Sequence, residues 1–221
     1  MFELRGVTKF FTTSDGVINV LQDFSYSFEP GISYVITGPS GAGKTTLLNL
    51  LMGIDVPSSG TIFFEGRDVA HMARYDKKSY EQFLRFSVGV VFQNPLLVPE
   101  LSLVDTIGFK GLLTGMPRSE LLARVAQVAS DLGLTHFLSQ PVTLLSGGQQ
   151  QRVALGRALF LQPKFLLIDE PTAHLDAALA RGIVVLLKEI QKTTGCGLLV
   201  TSHDPLVIEA MDVKVDLKKN N

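Results

Sequence analysis

The sequence contains a single cysteine, Cys196, and no tryptophan among its 221 residues. One cysteine cannot form an intramolecular disulfide, and no cysteine pair is present that could hold zinc. We therefore interpret Cys196 as a small buried apolar residue, which is the usual environment of a free cysteine. These absences exclude a disulfide-stapled scaffold and a cysteine-based zinc site.

Charged residues are also scarce, at 19% of the chain, and the formal net charge is −1. A chain without an excess of basic residues has no net electrostatic attraction to the phosphates of nucleic acid, so we expect no nucleic-acid partner. The low charged fraction suggests that partner proteins cover part of the surface. Hydrophobic residues make up 46%, enough for a sizeable core in one domain or in one domain with an inserted lobe.

Long apolar runs are missing as well. The N-terminal stretch Met1–Gly6 has no basic start followed by an apolar segment, so it does not resemble a signal peptide. No apolar run approaches the length that spans a bilayer, and the run Ile183–Leu187 stops at Lys188. If the protein works at a membrane, another chain must provide the membrane span.

Short apolar runs alternate with helical patterns, which predicts βαβ units and a mainly parallel sheet. The earlier stretch Phe2–Phe28 has strand character broken at Thr12–Gly16, which predicts a hairpin and an antiparallel β subdomain near the N-terminus. Only helical patterns occur from about residue 95 to 161. We therefore predict one α/β domain, 1–221, with its core in about 1–94 and 162–221 and an inserted helical lobe in about 95–161.

The stretch Gly38–Thr45 reads GPSGAGKT and fits the pattern G-x-x-x-x-G-K-S/T. Its glycines allow the backbone to wrap a phosphate, and the helix expected near Lys44 presents its positive dipole end to the anion. Lys44 is expected to reach the β- and γ-phosphates, and the Thr45 hydroxyl to bind Mg²⁺. The pattern predicts a P-loop NTPase core whose nucleotide-binding residues are Gly38, Pro39, Ser40, Gly41, Ala42, Gly43, Lys44, Thr45 and Thr46.

Polar residues follow three other predicted strands. Asp169 and Glu170 follow one apolar run, Gln93 follows a second and His203 a third. Because open α/β sheets bind ligands at the carboxyl ends of their strands, we expect one shared site. Asp169 is expected to hold Mg²⁺ through water, and Glu170 to accept a proton from the attacking water. Taken singly, each residue also fits a structural role at a strand end or on the surface.

A second anion-binding pattern, LSGGQ, occupies Leu145–Gln149 and precedes another helical stretch. Ser-Gly-Gly at a helix N-terminus can bind an anion through the same N–H groups and dipole as the first loop. An ordinary N-cap beside a flexible loop is the alternative. A second phosphate cradle in one chain is explained if it serves a neighbouring molecule.

The ordered set of glycine loop, glutamine, LSGGQ stretch, paired carboxylates and histidine resembles the ABC ATPase family over nearly the whole chain. The resemblance implies an ATPase that uses ATP and Mg²⁺ in a head-to-tail dimer with a second ATPase subunit, which we expect to be another copy of this chain. It implies that the LSGGQ stretch of one protomer closes on the nucleotide held by the other. The residues of that stretch are Ser146, Gly147, Gly148 and Gln149.

The same resemblance implies roles for single residues. The implied catalytic residues are Glu170, His203, Gln93 and Lys44, and those that hold Mg²⁺ are Thr45, Gln93 and Asp169. Asp176 ends a stretch similar to the family's D-loop and would bridge the two sites, although His174 departs from the small or amide residue common there. Phe11 stands where the family often places a tyrosine that stacks on adenine; core packing is the alternative.

The stretch Gly53–Gly60 and an extra segment from about Arg74 to Leu84 are similar to the lipoprotein-release, macrolide-export and cell-division ATPases. This similarity implies coupling to integral membrane transporter subunits, for lipoprotein release or for export of drugs or peptides. It places the chain at the cytoplasmic face of the inner or plasma membrane. Asn94–Pro99 falls where family members meet the membrane subunit; packing inside the lobe is the alternative for its apolar residues.

Three other functions stay open at this point. The chain could be a nucleotide-dependent scaffold of a membrane complex, as in cell division, or the ATPase of a polar amino-acid importer. A soluble ABC ATPase of DNA repair or translation is disfavoured, because those chains usually carry coiled-coil inserts, zinc motifs or tandem copies, and none is present in the sequence.

Overall fold

The computed structural model describes residues 1–14 and 16–218. The strands in this part of the chain are β1 (Phe2–Thr13), β2 (Gly16–Phe28), β3 (Ser33–Thr37), β4 (Ser59–Phe64), β5 (Arg67–Asp68), β6 (Val88–Val91), β7 (Phe165–Asp169), β8 (Gly197–Thr201) and β9 (Val213–Asp216). The helices are α1 (Lys44–Met52), α2 (Val69–Tyr75), α3 (Lys77–Gln82), α4 (Leu103–Leu113), α5 (Arg118–Asp131), α6 (Gly147–Leu159), α7 (Ala177–Thr194) and α8 (Pro205–Ala210).

An antiparallel sheet is built from the N-terminal strands in the order β2-β1-β4-β5. Thr13 lies opposite Gly16 in the hairpin between β1 and β2, while Asp15 of the turn lies outside the described residues. The antiparallel sheet expected near the N-terminus is therefore confirmed.

The second sheet has five strands in the order β6-β7-β8-β3-β9, and its described pairings are parallel. Strands β3, β7 and β8 are buried along their whole length, as strands covered on both faces must be. Apolar runs do not reveal β9, because Val213–Asp216 alternates valine with charged residues at the edge of the sheet. The predicted α/β fold with a mainly parallel sheet is confirmed.

Helix α1 begins directly after the glycine loop. It ends where Gly53 adopts a left-handed conformation, with φ 71°, and donates its N–H to the Leu50 carbonyl. Glycine takes this conformation without a Cβ clash, so it is the usual residue at such a helix end. The glycine loop therefore lies between the end of β3 and the start of α1.

Apolar side chains cover both faces of the parallel sheet. On one face, Phe165 of β7 packs against Phe2 of β1, with ring centroids 5.1 Å apart, and this contact ties the two sheets together. On the other face, Leu166 belongs to a cluster that includes Ile107 of α4 and Ile183 of α7. Burial of each such side chain contributes about 1.5–3 kcal/mol.

The chain between β6 and β7 contains α4, α5 and α6, together with short 3-10 turns at Thr135–Phe137 and Val142–Leu144. This helical content agrees with the expected lobe, whose limits near residues 95 and 161 stay a prediction, as does the single-domain assignment. The extra segment before β6 folds as α2, α3 and a π-helix at Phe83–Ser87. None of the helices within residues 1–14 and 16–218 has the length and apolarity that crossing a membrane requires.

Candidate nucleotide-binding site

The glycine loop connects β3 to α1 and lines a cavity of about 770 Å³. Gly38, Gly41 and Gly43 have φ values of 149°, 79° and 91°. A Cβ on Gly38 would lie 2.6 Å from the Leu217 carbonyl oxygen, and one on Gly43 would lie 2.5 Å from Cγ1 of Val20. Glycine is therefore required at both ends of the loop, by backbone conformation and by space.

Lys44 opens α1 and bends back over the loop. Its Nζ donates to the Gly38 carbonyl at 2.9 Å and to the Pro39 carbonyl at 3.4 Å. These bonds hold a flexible cation at the wall of the cavity, where an anion would meet it together with the N–H groups at the start of the helix.

Asp169 ends β7 beside the glycine loop. Its Oδ2 accepts from the Thr45 hydroxyl at 2.9 Å, and its Oδ1 accepts from the Thr201 hydroxyl of β8. The carboxylate is mostly buried, with 8% of the residue exposed. Two hydroxyl donors thus fix a buried negative charge next to the phosphate loop.

Glu170 has a left-handed backbone conformation, with φ 44°. Its N–H donates to the Thr201 carbonyl at 3.1 Å and to the Thr201 hydroxyl at 3.0 Å. Its carboxylate oxygen Oε2 lies 3.0 Å from Nδ1 of His203. Non-glycine residues held in this conformation cluster at functional sites, and here Thr201 holds the backbone in place.

The cavity brings together most of the residues that sequence patterns single out. Gln93, Glu170 and His203 line it together with the loop residues from Gly38 to Thr46, and Asp169 lies behind Thr45. Val20 of the N-terminal hairpin also lines it. The sequence analysis does not predict Val20 as a site residue, because a valine in a strand has no side-chain group that suggests binding or catalysis.

Thr201 is a second residue that the sequence analysis misses. It ends the apolar run of β8 two residues before His203, and a hydroxyl at the end of a strand that leads into the site was the available signal. Its contacts to Asp169 and Glu170 show that it orients the acidic pair.

The LSGGQ stretch lies elsewhere on the protomer, because the described residues that line the cavity include none of it. Ser146 caps α6: its hydroxyl accepts from the Gln149 N–H, and the Gln149 side chain accepts from the Ser146 N–H. Gly147 is exposed, and the nearest atom to a Cβ placed there would be 3.8 Å away. The helix N-terminus is therefore open to a partner.

Asp176 and Phe11 also lie outside the lining of the cavity. Asp176 caps α7 by accepting from the N–H groups of Ala178 and Leu179. Phe11 is 40% exposed, and its ring packs on Lys9, whose Nζ lies 4.7 Å from the centroid. Phe11 pairs with Ile18 on β2, close along the chain to Val20, the valine that lines the cavity.

The residues present fit a nucleotide with Mg²⁺. The cavity volume lies in the range of small-molecule sites, and the glycine loop leaves N–H groups and Lys44 for phosphates. The Thr45 hydroxyl, the Asp169 carboxylate and the Gln93 amide are the oxygen ligands that Mg²⁺ prefers.

This fold and site define a P-loop nucleotide-binding protein. The sequence profile described as "ABC transporter" matches residues 21–173, and the chain belongs to the ABC transporter family as an ATP-binding subunit. The lipoprotein-releasing system ATP-binding protein LolD of Syntrophus aciditrophicus is 36% identical over 218 residues, 99% of this chain and 96% of that protein. The Fe(3+) ions import ATP-binding protein FbpC of Escherichia coli is 41% identical over 91% of this chain, which spans only 54% of that protein.

Solved structures agree with this assignment. The ATP-binding cassette MJ0796, dimeric and bound to ADP and Pi, superposes with a TM-score of 0.88 at 28% identity, covering 100% of this chain and 97% of that one. The predicted class is therefore confirmed: an ATP-hydrolysing subunit that uses ATP and Mg²⁺. Subunits of this family act in pairs and with membrane transporter subunits, so the expected classes of partner are confirmed too.

Proposed function

We propose that the residues around the glycine-loop cavity bind and hydrolyse ATP in the roles expected from their types. The observation that carries this proposal is the single cavity shared by Lys44, Gln93, Glu170 and His203. The N–H groups of Gly41–Thr46 and the Lys44 ammonium bind the phosphates, since both are donors at a helix N-terminus. Phe11 stacks on the adenine, because its ring is exposed on the same hairpin as Val20, which lines the cavity.

Glu170 accepts a proton from the attacking water, and His203 contacts the same water and the γ-phosphate. Both side chains are held by strand ends, and the Glu170 carboxylate is only 13% exposed, so few bulk waters compete for it. When Mg²⁺ is bound, held by Thr45, Gln93 and, through water, Asp169, it offsets negative charge on the phosphates. Thr201 keeps the Asp169 carboxylate facing Thr45.

A second copy of the chain completes each site. Ser146 and Gly147 are exposed at the start of α6, and with the N–H of Gly148 they form a positive helix end whose first turn carries no acidic residue. We propose that they close on the γ-phosphate held by the partner's glycine loop, with Gln149 and Asp176 at the junction.

Cysteine cross-linking tests this pairing. In a Cys196→Ser background that also carries Glu170→Gln, Ser40→Cys in one chain and Ser146→Cys in another should form an interchain disulfide when Mg-ATP is added. Ser119→Cys, at an exposed position of α5, replaces Ser146→Cys as the matched control. Equal cross-linking in the control, or none with ATP, would contradict a head-to-tail pair.

The membrane partner docks on the segment after Gln93. A groove of about 280 Å³ is lined there by both apolar and polar residues, and its Leu96 is 61% exposed. A concave surface with apolar residues in its wall suits contact with a partner protein. We therefore place the chain at the cytoplasmic face of a membrane, bound through its partner.

The transport reaction that we propose is release of lipoproteins, because LolD relatives align over 98–99% of this chain. Import is the second candidate, supported by 41% identity to an iron-import subunit. Transport assays on vesicles that contain this subunit and its membrane partner distinguish release from import. ATP-dependent loss of a lipid-modified protein from the vesicles supports release, uptake of a solute supports import, and ATP turnover with neither indicates a scaffold.

A further inference from the structure

The backbone before Gln93 is held by a cation of the helical lobe. Strand β6 leads directly to Gln93, which reaches the phosphate cavity. Lys110 of α4 donates from Nζ to the Leu84 carbonyl at 3.0 Å and to the Val88 carbonyl at 2.9 Å. One side chain thus connects α4 to the π-helix region and to the start of β6.

The backbone after Gln93 is held by a second cation. Arg157 of α6 donates from its two terminal nitrogens to the Leu96 carbonyl at 2.9 Å and to the Pro95 carbonyl at 2.8 Å. Leu96 has φ 47°, a conformation that non-glycine residues rarely adopt. The two hydrogen bonds from one planar group define the path of this segment.

In the part of the chain that the structure describes, neither cation is neutralised by an acidic side chain. Among residues 1–14 and 16–218, no ion pair includes Lys110 or Arg157. Burial, together with repulsion from Arg157, lowers the pKa of Lys110 to about 8, and burial also lowers the pKa of Arg157. Both side chains are partly buried, and each holds two backbone carbonyls rather than a carboxylate.

Helix α6 is packed against β6 without space between them. A Cβ on Gly89 would lie 2.7 Å from the Ala158 carbonyl oxygen and 2.5 Å from Cδ2 of Leu166. The same helix begins at Gly147 in the LSGGQ stretch. Helix α6 therefore extends from the LSGGQ stretch to the strand that precedes Gln93.

We propose that Lys110 and Arg157 are positioning residues for Gln93, because they fix the backbone on both sides of it to α4 and α6. This inference rests on the proposed role of Gln93 in ATP hydrolysis. Helices α4 and α6 of the lobe then determine where the Gln93 amide lies in the cavity.

Steady-state kinetics of Lys110→Met and Arg157→Met test the proposal. We expect kcat to fall by about 10- to 100-fold in each, since displacement of a reacting group by about 1 Å has an effect of that order. KM for ATP should change by less than about threefold, because Lys44 and Thr45 are untouched. Turnover of Lys44→Ala is measured first. If this variant keeps the parental turnover, the proposed ATP site is wrong, and that outcome is distinguished from failure of the positioning proposal.

Arg124→Met is the matched control. Arg124 also joins elements of the lobe by donating to a backbone carbonyl, that of Phe160 at 3.1 Å, but it does not touch the Gln93 segment. Its kcat should stay within about threefold of the parent. Arg157→Lys keeps the charge but not the planar fork, so its kcat should lie between those of the parent and Arg157→Met, and it replaces that variant if circular dichroism shows unfolding.

A double-mutant cycle separates positioning from general stability. If Arg157 acts through Gln93, the variant Gln93→Ala/Arg157→Met should be no slower than Gln93→Ala within about threefold. The proposal is overturned by a parental kcat in Lys110→Met or in both Arg157 variants, by losses that multiply in the cycle, or by an equal loss in Arg124→Met.

Discussion

The carboxylate of Glu170 and the imidazole of His203 lie 3.0 Å apart, from Oε2 to Nδ1. Glu170 follows β7 and His203 follows β8, and these strands are parallel neighbours, so both chains leave the sheet at the same edge. The His203 side chain is 77% exposed and covers a carboxylate that is 13% exposed. This contact is what the proposed action of the pair on one water molecule would require.

Glu170→Gln removes the proposed proton acceptor while it keeps the shape of the side chain. ATP hydrolysis should fall at least about 100-fold, which is the usual contribution of a general base, whereas nucleotide binding should persist. Phosphate release and titration with a fluorescent nucleotide measure the two quantities. Glu120→Gln, the same change at an exposed position of α5, is the control. Hydrolysis near the parental rate in Glu170→Gln would show that another group is the base.

Lys44→Ala tests the phosphate loop. Removal of a charge-assisted donor costs about 1.5–3 kcal/mol, so the Kd for ATP should rise by about 10- to 100-fold. Isothermal calorimetry with Mg-ATP measures this change. Lys192→Ala, at an exposed position in the last turn of α7, should leave the Kd unaltered. Parental affinity in Lys44→Ala would place the phosphates elsewhere.

Two glycines of the same loop should differ in their tolerance of alanine. Both Gly41 and Gly43 have positive φ, which costs alanine about 1–2 kcal/mol. A Cβ on Gly43 would also meet Val20 at 2.5 Å, whereas nothing lies within 4 Å of one on Gly41. Gly43→Ala should therefore lower the free energy of unfolding by about 1–3 kcal/mol more than Gly41→Ala does. Urea denaturation without nucleotide measures the difference, and equal losses in the two variants would contradict a close approach of Val20 to Gly43.

Cys196 should be inert in the folded protein. It is 2% exposed, and burial raises the pKa of its thiol to about 12. At pH 8 its reaction with a maleimide should be at least about 100-fold slower than in the urea-unfolded chain, because the thiolate is the reactive form. Tyr75→Cys, at a position that is 75% exposed, is the positive control. Equal labelling rates for the folded and unfolded chain would refute this prediction.

The raised pKa of the Cys196 thiol makes the free energy of unfolding depend on pH in the alkaline range. The unfolded thiol ionises near pH 9 and the native thiol near pH 12. The contribution of the buried neutral thiol is therefore fully present below pH 9 and is lost as the pH rises toward 12. The stability difference between the parent and Cys196→Ala should decrease over that range.

Much of the site could be predicted because its chemistry is local or follows from sheet topology. Gly38–Thr45 is one contiguous loop, and the residues after the strands meet because parallel strands end at one edge. Thr201 and Val20 could not be predicted in the same way, since their roles depend on contacts to Asp169 and Gly43 that no spacing along the chain specifies.

The sequence by itself determined the class of fold, the phosphate loop and the acidic pair after β7, because glycine conformations and apolar periodicity act over a few residues. Only the tertiary structure decided the strand order and the contact of Glu170 with His203. It also decided the hydrogen bonds from Lys110 and Arg157 to the backbone on either side of Gln93. These features arise from packing between distant segments, where the burial of surface and the pairing of carbonyl groups select one arrangement among many that the local patterns allow.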